Sequence, residues 1–113
     1  MNTAVLNDDL FHDARVEEII NENTLRLAIR NNDEKNVKVC YIDTIKEINI
    51  INDTDRLKAL FMMDLISSII PVGAYVKIKI LENNIVTVFN RNLDQNINTL
   101  LRIVQNSNAS YNL

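Results

Sequence analysis

Residues 14–30 read ARVEEIINENTLRLAIR, and this stretch decides the fold. On its C-terminal side, Leu25, Leu27 and Ile29 alternate with polar or small residues. Alternation with period two is typical of a strand that is buried on one face. The Asn-Glu-Asn-Thr at 21–24 contains two asparagines, which tolerate positive φ better than most residues and so favour a tight turn. We therefore predict two strands joined by a turn that needs no glycine.

The rest of the chain continues this kind of pattern. Period-two apolar runs predict three further strands, and apolar residues at helical spacing predict two helices. In chain order they are a third strand, a helix, two strands and a second helix, at residues 37–42, 56–70, 75–81, 85–89 and 93–104. The Ile-rich segment 45–51 fits either a covering loop or a short strand.

The first helix has clear start and stop signals. Asn52, Asp53 and Asp55 supply N-cap candidates and acidic residues for the first turn. Pro71 and Gly73 follow its end. We expect its buried face to consist of apolar residues at helical spacing, namely Leu57, Leu60, Phe61, Leu65, Ile69 and Ile70.

The order of these elements predicts a mainly β (α+β) domain. Five strands with a helix after the third are the arrangement of a five-stranded OB-type barrel, here with a second short helix near the C-terminus. An open α+β sheet is the alternative. The predicted domain spans residues 14–104, between an irregular segment 1–13 and a polar tail 105–113.

Composition excludes several classes of site. The 113 residues contain one Gly, one Cys and one His, which leaves no Gly-rich phosphate loop, no disulfide and no four-ligand zinc site. We therefore expect no metal and no cofactor. The formal net charge of −3 argues against binding nucleic acid by bulk electrostatics. Cys40, in the middle of a predicted strand, is expected to be a buried packing residue.

Residue usage indicates the base composition of the genome, and targeting signals indicate the compartment in which the protein works. The chain has 18 Asn and 16 Ile, both encoded by A/T-rich codons, which indicates a biased genome. No secretory signal is visible in residues 1–10, and the longest apolar stretch, residues 57–72, is interrupted by polar side chains. We expect an intracellular protein, cytoplasmic or nuclear, that does not enter a membrane.

Four segments, taken in order, resemble motifs of one family: residues 21–27 (NENTLRL), 39–44 (VCYIDT), 59–61 leading through Gly73 into 76–80, and 96–101 (NINTLL). They are similar to the hairpin, the strand ending in Asp-Thr, the helix-to-strand passage and the second helix of the staphylococcal nuclease (thermonuclease-like) domain, which also occurs as repeats in Tudor-SN proteins. The resemblance covers roughly residues 14–104 and implies an OB-type barrel.

The resemblance also implies where the family's metal and phosphate would bind. The family holds Ca²⁺ between carboxylates and stabilises the phosphate with two Arg. Here Asn21 and Asn23 stand at the hairpin carboxylates, and an amide lacks the charge that a hard cation favours. Lys38 stands at the strand Arg and lacks its bidentate fork.

The family's general base is replaced as well. The Pro-Glu that follows Asp-Thr in the family is matched here by Ile45 and Lys46, which places an ammonium where a carboxylate would activate water. The loop of the second Arg is reduced to residues 82–84, without Arg. Only Asp43 and Thr44 are retained, and they have a structural reading as a turn that hydrogen-bonds the following loop. The sequence therefore predicts a nuclease-like fold that is not an enzyme.

Two functions remain, with residual nuclease activity as a third. The leading one is an interaction module that binds another protein or itself, with segment 45–51 as a contact surface if it is exposed. The alternative is binding of single-stranded nucleic acid across the barrel face through Arg26, Lys38, Lys77 and Lys79. The candidate binding residues are Asn23, Arg26, Lys38, Asp43, Thr44, Lys46, Lys77 and Lys79.

Overall fold

A computed structural model describes residues 11–31 and 33–109 of the chain. Within them lie five strands and two helices, in the order β1 (Phe11–Asn21), β2 (Thr24–Asn31), β3 (Glu34–Ile42), α1 (Asp53–Ile69), β4 (Tyr75–Glu82), β5 (Ile85–Phe89) and α2 (Ile97–Ala109). The strands close into a barrel in the order β1-β2-β3-β5-β4, with β4 pairing back to β1. The OB-type barrel expected from the sequence is confirmed, and the open sheet is excluded.

The shortest seam of the barrel lies between β3 and β5. The other neighbouring strands are antiparallel. In contrast, β3 and β5 run parallel and share two residue pairs, Tyr41 with Ile85 and Ile42 with Val86. Two backbone bonds flank these pairs, because Tyr41 N–H donates to Asn84 O at 2.7 Å and Asp43 N–H donates to Val86 O at 2.9 Å. Closure of the barrel at this seam therefore depends on a small number of hydrogen bonds.

Several element boundaries differ from the prediction, among them the starts of β3 at Glu34 and of α1 at Asp53, each three residues early. β1 begins at Phe11, within the segment 1–13 expected to be irregular, because Phe11 pairs with Lys79 of β4. α2 starts at Ile97 rather than at Leu93, whose φ is 62°, and it continues into the expected tail 105–113. The remaining parts of the two terminal segments, residues 1–10 and 110–113, lie outside the described residues.

The segment 45–51 contains neither helix nor strand, so the loop interpretation is confirmed. Ile45 is buried in the core, whereas Ile50 and Ile51 are exposed. The loop thus covers the barrel at its start and faces solvent at its end.

Side chains from all five strands and both helices fill the core. Its members on the strands are Ala14, Val16, Leu25, Leu27, Ile29, Cys40, Ile42, Val76, Ile78, Val86 and Val88. Met62, Ile66, Ile97 and Leu101 reach the same cluster from the helices. Cys40 is buried as predicted, and burial raises the pKa of its thiol, although the nearby Lys38 charge acts in the opposite direction.

α1 uses the start and stop signals that the sequence predicts, although it begins at Asp53, three residues before the predicted start at residue 56. The side chain of Asn52 caps its first turn by accepting a hydrogen bond from Asp55 N–H at 2.9 Å. The helix stops before Pro71, and Gly73 then adopts a φ of 93°, which only glycine tolerates well. No helix among the described residues is long and apolar enough to cross a bilayer.

α1 buries a different face from the one that its spacing predicts. Met62 and Ile66 are fully buried, whereas Leu57, Leu60 and Phe61 are exposed by 59%, 50% and 47%. The other members of the predicted face do lie in or against the core: Leu65, Ile69 and Ile70. The helix is apolar on nearly every side, so its spacing fits two faces and the barrel determines which one is buried. The predicted face is wrong in its N-terminal half.

A matched pair of truncations on α1 tests this orientation. Met62→Ala should lower the free energy of unfolding by about 2–5 kcal/mol, because it leaves a cavity in the core. Leu57→Ala should change it by no more than about 0.5 kcal/mol, because that side chain faces solvent. Denaturant unfolding of dilute protein measures both. A larger loss of unfolding free energy for Leu57→Ala than for Met62→Ala would instead support the buried face predicted from the sequence.

Candidate functional site

The structure brings four of the predicted site residues, Asn23, Asp43, Thr44 and Lys46, to one end of the barrel. The turn between β1 and β2 meets the end of β3 there, because Ile42 N–H donates to the Asn23 carbonyl at 2.8 Å. The other predicted residues lie further along the strands. The sequence resemblance alone relates this end, called the nuclease-like end below, to the catalytic residues of the family.

Asn23 is committed to holding the turn. Its amide Nδ2 donates to Ile45 O at 3.2 Å, and its Oδ1 accepts from Thr24 Oγ1 at 2.8 Å. Its backbone N–H donates to Asn21 Oδ1 at 3.0 Å. Both ends of the Asn23 side chain are therefore used in the fold, and the amide donor is needed where a carboxylate could not donate.

Glu22 is a residue of this end that sequence reasoning missed. It is buried, and its Oε2 accepts from Ile48 N–H at 2.6 Å. The carboxylate therefore ties the loop 45–51 to the hairpin. No local sequence pattern predicts this hydrogen bond, because Ile48 lies 26 residues away from Glu22 in the chain.

Asp43 and Thr44 form the turn that leaves β3. Thr44 has a φ of 69°, an uncommon conformation for a β-branched residue, and its Oγ1 donates to Asp43 O at 2.5 Å. Ile45 N–H then donates back to Ile42 O at 3.3 Å. The backbone around Asp43 is firmly held. The Asp43 carboxylate makes no hydrogen bond or ion pair with any part of the chain that the structure describes.

Asn98 of α2 is a second residue that the sequence did not single out. It is buried, and its Oδ1 accepts from Val88 N–H at 2.8 Å. Its Nδ2 donates to Asp43 O at 3.0 Å and to Val86 O at 3.2 Å. One amide thus joins α2, β5 and the turn after β3.

Lys46 is held by its backbone rather than by its charge. The Gln105 amide accepts from Lys46 N–H at 3.1 Å and donates to Lys46 O at 2.9 Å. Lys46 itself is exposed. Gln105 lies in the segment expected to be a polar tail, so its role required the fold. Among residues 11–31 and 33–109, no three His, Cys, Asp or Glu side chains lie together as metal ligands.

The four cations predicted to share the barrel face are divided between its two sides. Lys38 is paired with Leu27, and directly paired residues point to the same side of a sheet. Because Leu27 points into the core, Lys38 also lies on the inward side of the sheet. Lys38 is nevertheless exposed to solvent. Arg26 is the neighbour of Leu27 and points outward. The prediction that the four cations share one face of the barrel is therefore wrong, because they lie on both sides of the sheet.

The outward cations are largely neutralised by β1. Arg26 forms an ion pair with Glu18, and the Lys77 ammonium lies 2.6 Å from the Asp13 carboxylate. Lys79 is half-buried on the same outward side of β4. Cross-strand pairing with acidic residues leaves little free positive charge on the predicted surface.

An open cleft of about 240 Å³ lies elsewhere on the outer surface, around β1, β2 and β4. It is lined by Asp13, Ala14, Arg15, Ala28, Arg30, Lys35, Tyr75 and Arg91. Arg15 is paired with Ala28 on one side and with Tyr75 on the other. The alternation along β2 places Arg30 on the outward side, but only the strand register shows which side chains lie beside it.

Comparison of the chain with protein-family models, with curated proteins and with solved structures finds no match in any of the three. The resemblance to the nuclease domain therefore rests on the four sequence segments given above.

Exchanging the two hairpin asparagines for aspartate tests the structural role of this end. Asn23→Asp should lower the free energy of unfolding by about 1–3 kcal/mol, because a carboxylate cannot donate to Ile45 O. Asn21→Asp should stay within about 0.5 kcal/mol of the wild type, because Asn21 Oδ1 only accepts in the hairpin and a carboxylate does the same. Thermal and denaturant unfolding measure both variants.

The same two variants test whether charge alone restores a calcium site. We expect millimolar Ca²⁺ to leave the Tm of Asn23→Asp unchanged, since the carboxylate replaces a structural donor rather than completing a ligand set. Equal stability of the two variants, or a rise in Tm of Asn23→Asp with Ca²⁺, would contradict the structural reading of Asn23.

Proposed function

We propose that this chain is a non-enzymatic protein-interaction module built on an OB-type barrel, and that it self-associates through the outer face of α1. This outer face consists of Leu57, Leu60 and Phe61, with Arg56 and Asp64 beside them. The observation that carries the proposal is the exposure of three large apolar side chains on one helix face.

The non-enzymatic part of the proposal is supported by the residues at the nuclease-like end. Asn23 uses both ends of its amide in the hairpin, and Glu22 is occupied with Ile48 N–H. Lys46 occupies the position at which the family carries its base. Loss of a general base typically costs two to four orders of magnitude in rate. An end of the barrel that is committed to hydrogen bonds of the fold has few groups left for chemistry.

The outer face of α1 is contiguous by helical geometry. Leu57, Leu60 and Phe61 are related as i, i+3 and i+4, so they are neighbours on one side of the helix. Exposed apolar clusters are unfavourable in water and mark interaction sites more often than scattered single residues do. Ile50 and Ile51, in the loop that leads to α1, add exposed apolar surface at the same end of the helix.

The charges around this face are complementary to a second copy of the same face. Arg56 and Asp64 lie four residues on either side of Leu60, so the three form one ridge along the helix. Eight residues separate the two charges by about 12 Å along the helix, which prevents them from pairing within one chain. When two α1 helices pack antiparallel about Leu60, each Arg56 lies opposite Asp64 of the other copy. This is the self-complementary pattern of a two-fold interface.

The proposed dimer is weak. Three half-exposed apolar side chains per chain contribute less area than the roughly 800 Å² per partner of a stable interface. Association is therefore expected to be reversible and concentration dependent. The lone buried Cys40 is compatible with a reducing compartment, and we place the protein in the cytoplasm or nucleus.

Charge exchange on α1 tests the proposal. Arg56→Glu and Asp64→Arg should each weaken the dimer roughly tenfold, because each creates two like-charge contacts related by the two-fold axis. The double variant should return to within about twofold of the wild type, because it restores both pairs with reversed sign. Sedimentation velocity over a concentration series gives the dissociation constants.

The control is Arg102→Glu, which makes the same charge change at an exposed position of α2. It should leave association within about twofold of the wild type. A chain that stays monomeric up to millimolar concentration would refute self-association. In that case, association with a different protein through the same face would be the remaining interpretation. A double variant as weak as the single variants would refute the antiparallel arrangement.

A further inference from the structure

The cleft on the outer side of β1, β2 and β4 has a concave floor and basic walls. On its floor, Ala28 faces the outer side and its small side chain leaves room above the sheet, whereas the side chain of Ala14 points into the core. Arg30 and Lys35 face each other across the β2–β3 ladder on one side. Tyr75 stands on the other side, where it is paired with Arg15. The cleft lies toward the end of β2 that is opposite to Asn23.

The charge of this cleft is unlike that of the chain as a whole. Four of the 12 basic residues line it, in a protein with a net charge of −3: Arg15, Arg30, Lys35 and Arg91. The single acidic lining residue, Asp13, is paired with Lys77. Arg15 contacts Glu17 at 2.8 Å, whereas Arg30 and Lys35 form no ion pair within the part of the chain that the structure describes. The cleft therefore presents uncompensated positive charge.

An aromatic platform lies within reach of these cations. Tyr75 is 60% exposed, and the Arg91 guanidinium lies over its ring, 5.7 Å from the ring centre. A guanidinium on an aromatic ring is a flat surface on which a further ring can stack. Cations that bind phosphate next to a stacking surface are the combination by which proteins hold a nucleotide without reading its sequence.

We propose that this cleft binds a nucleotide, that is, a phosphate ester joined to an aromatic base. Arg30 and Lys35 hold the phosphate, with Arg15 beside them, and the base stacks on the pair formed by Tyr75 and Arg91. Guanidinium groups suit phosphate because they donate two parallel hydrogen bonds. The volume of about 240 Å³ accommodates one such unit, and the open side lets a polymer continue along the surface.

The nucleotide has two possible sources, and they differ in the length of the ligand. A free mononucleotide fills the cleft alone. A unit of a single strand enters the cleft while its neighbours lie outside, and their phosphates add counterion release to the binding.

The experiment titrates the full chain with adenosine monophosphate by calorimetry and with a fluorescent oligothymidylate by anisotropy, at about 50 and 200 mM salt. Lys35→Glu and Arg30→Glu are exposed substitutions on the β2–β3 hairpin. Each should weaken binding about tenfold or more, because each removes a phosphate contact and adds repulsion. Tyr75→Leu keeps an apolar side chain but removes the stacking ring, and it should weaken binding severalfold.

Arg102→Glu changes the net charge by the same amount outside the cleft and is the matched control. It should remain within about twofold of the wild type. Saturable binding of the monophosphate supports the free nucleotide. Oligonucleotide binding with a steep salt slope, lost in Lys35→Glu and retained in Arg102→Glu, supports the single strand. Equal loss in Lys35→Glu and Arg102→Glu, or no binding of either ligand, would overturn the site.

Discussion

The side-chain amide of Asn98 is the interaction on which the rest of the structure depends. β3 and β5 close the barrel through two parallel residue pairs, the shortest seam of the sheet. Asn98 reinforces that seam by accepting from Val88 N–H and by donating to the carbonyls of Asp43 and Val86. The bonds to Val88 and Val86 are buried and the bond to Asp43 is partly buried, so leaving these partners unpaired would cost free energy. The amide therefore fixes α2, the seam and the turn after β3 together.

At the same end of the barrel, several other polar side chains also form hydrogen bonds with the backbone. Asn23, Glu22 and Gln105 each hold a backbone segment that neither strand nor helix would satisfy. Loops without regular structure carry backbone groups that need such partners when they are partly buried. The polar side chains at this end thus hold the backbone of the fold. The exposed apolar side chains of α1 and the exposed cations of the basic cleft lie on other surfaces, and our two proposals concern those surfaces.

Much of the fold could be predicted because it follows from local patterns. Period-two alternation locates the strands, and Asn52 with Pro71 delimits α1. The buried face of α1 could not be predicted, because a helix that is apolar on nearly all sides carries no directional signal. The roles of Glu22 and Gln105 depend on partners 26 and 59 residues away. The cleft depends on strand register, which places side chains from β1, β2 and β4 side by side although they are distant in sequence.

The most direct test of this account is the free energy of unfolding of Asn98→Asp, measured beside Asn96→Asp on the same helix. Asn96 Oδ1 accepts from Thr99 N–H at the start of α2, a role that aspartate fills equally well, so that variant should stay within about 0.5 kcal/mol of the wild type. Asn98→Asp directs a carboxylate at two carbonyl oxygens, and we expect a loss of about 2–4 kcal/mol. Equal stability of the two variants would contradict the claim that the Asn98 amide closes the barrel.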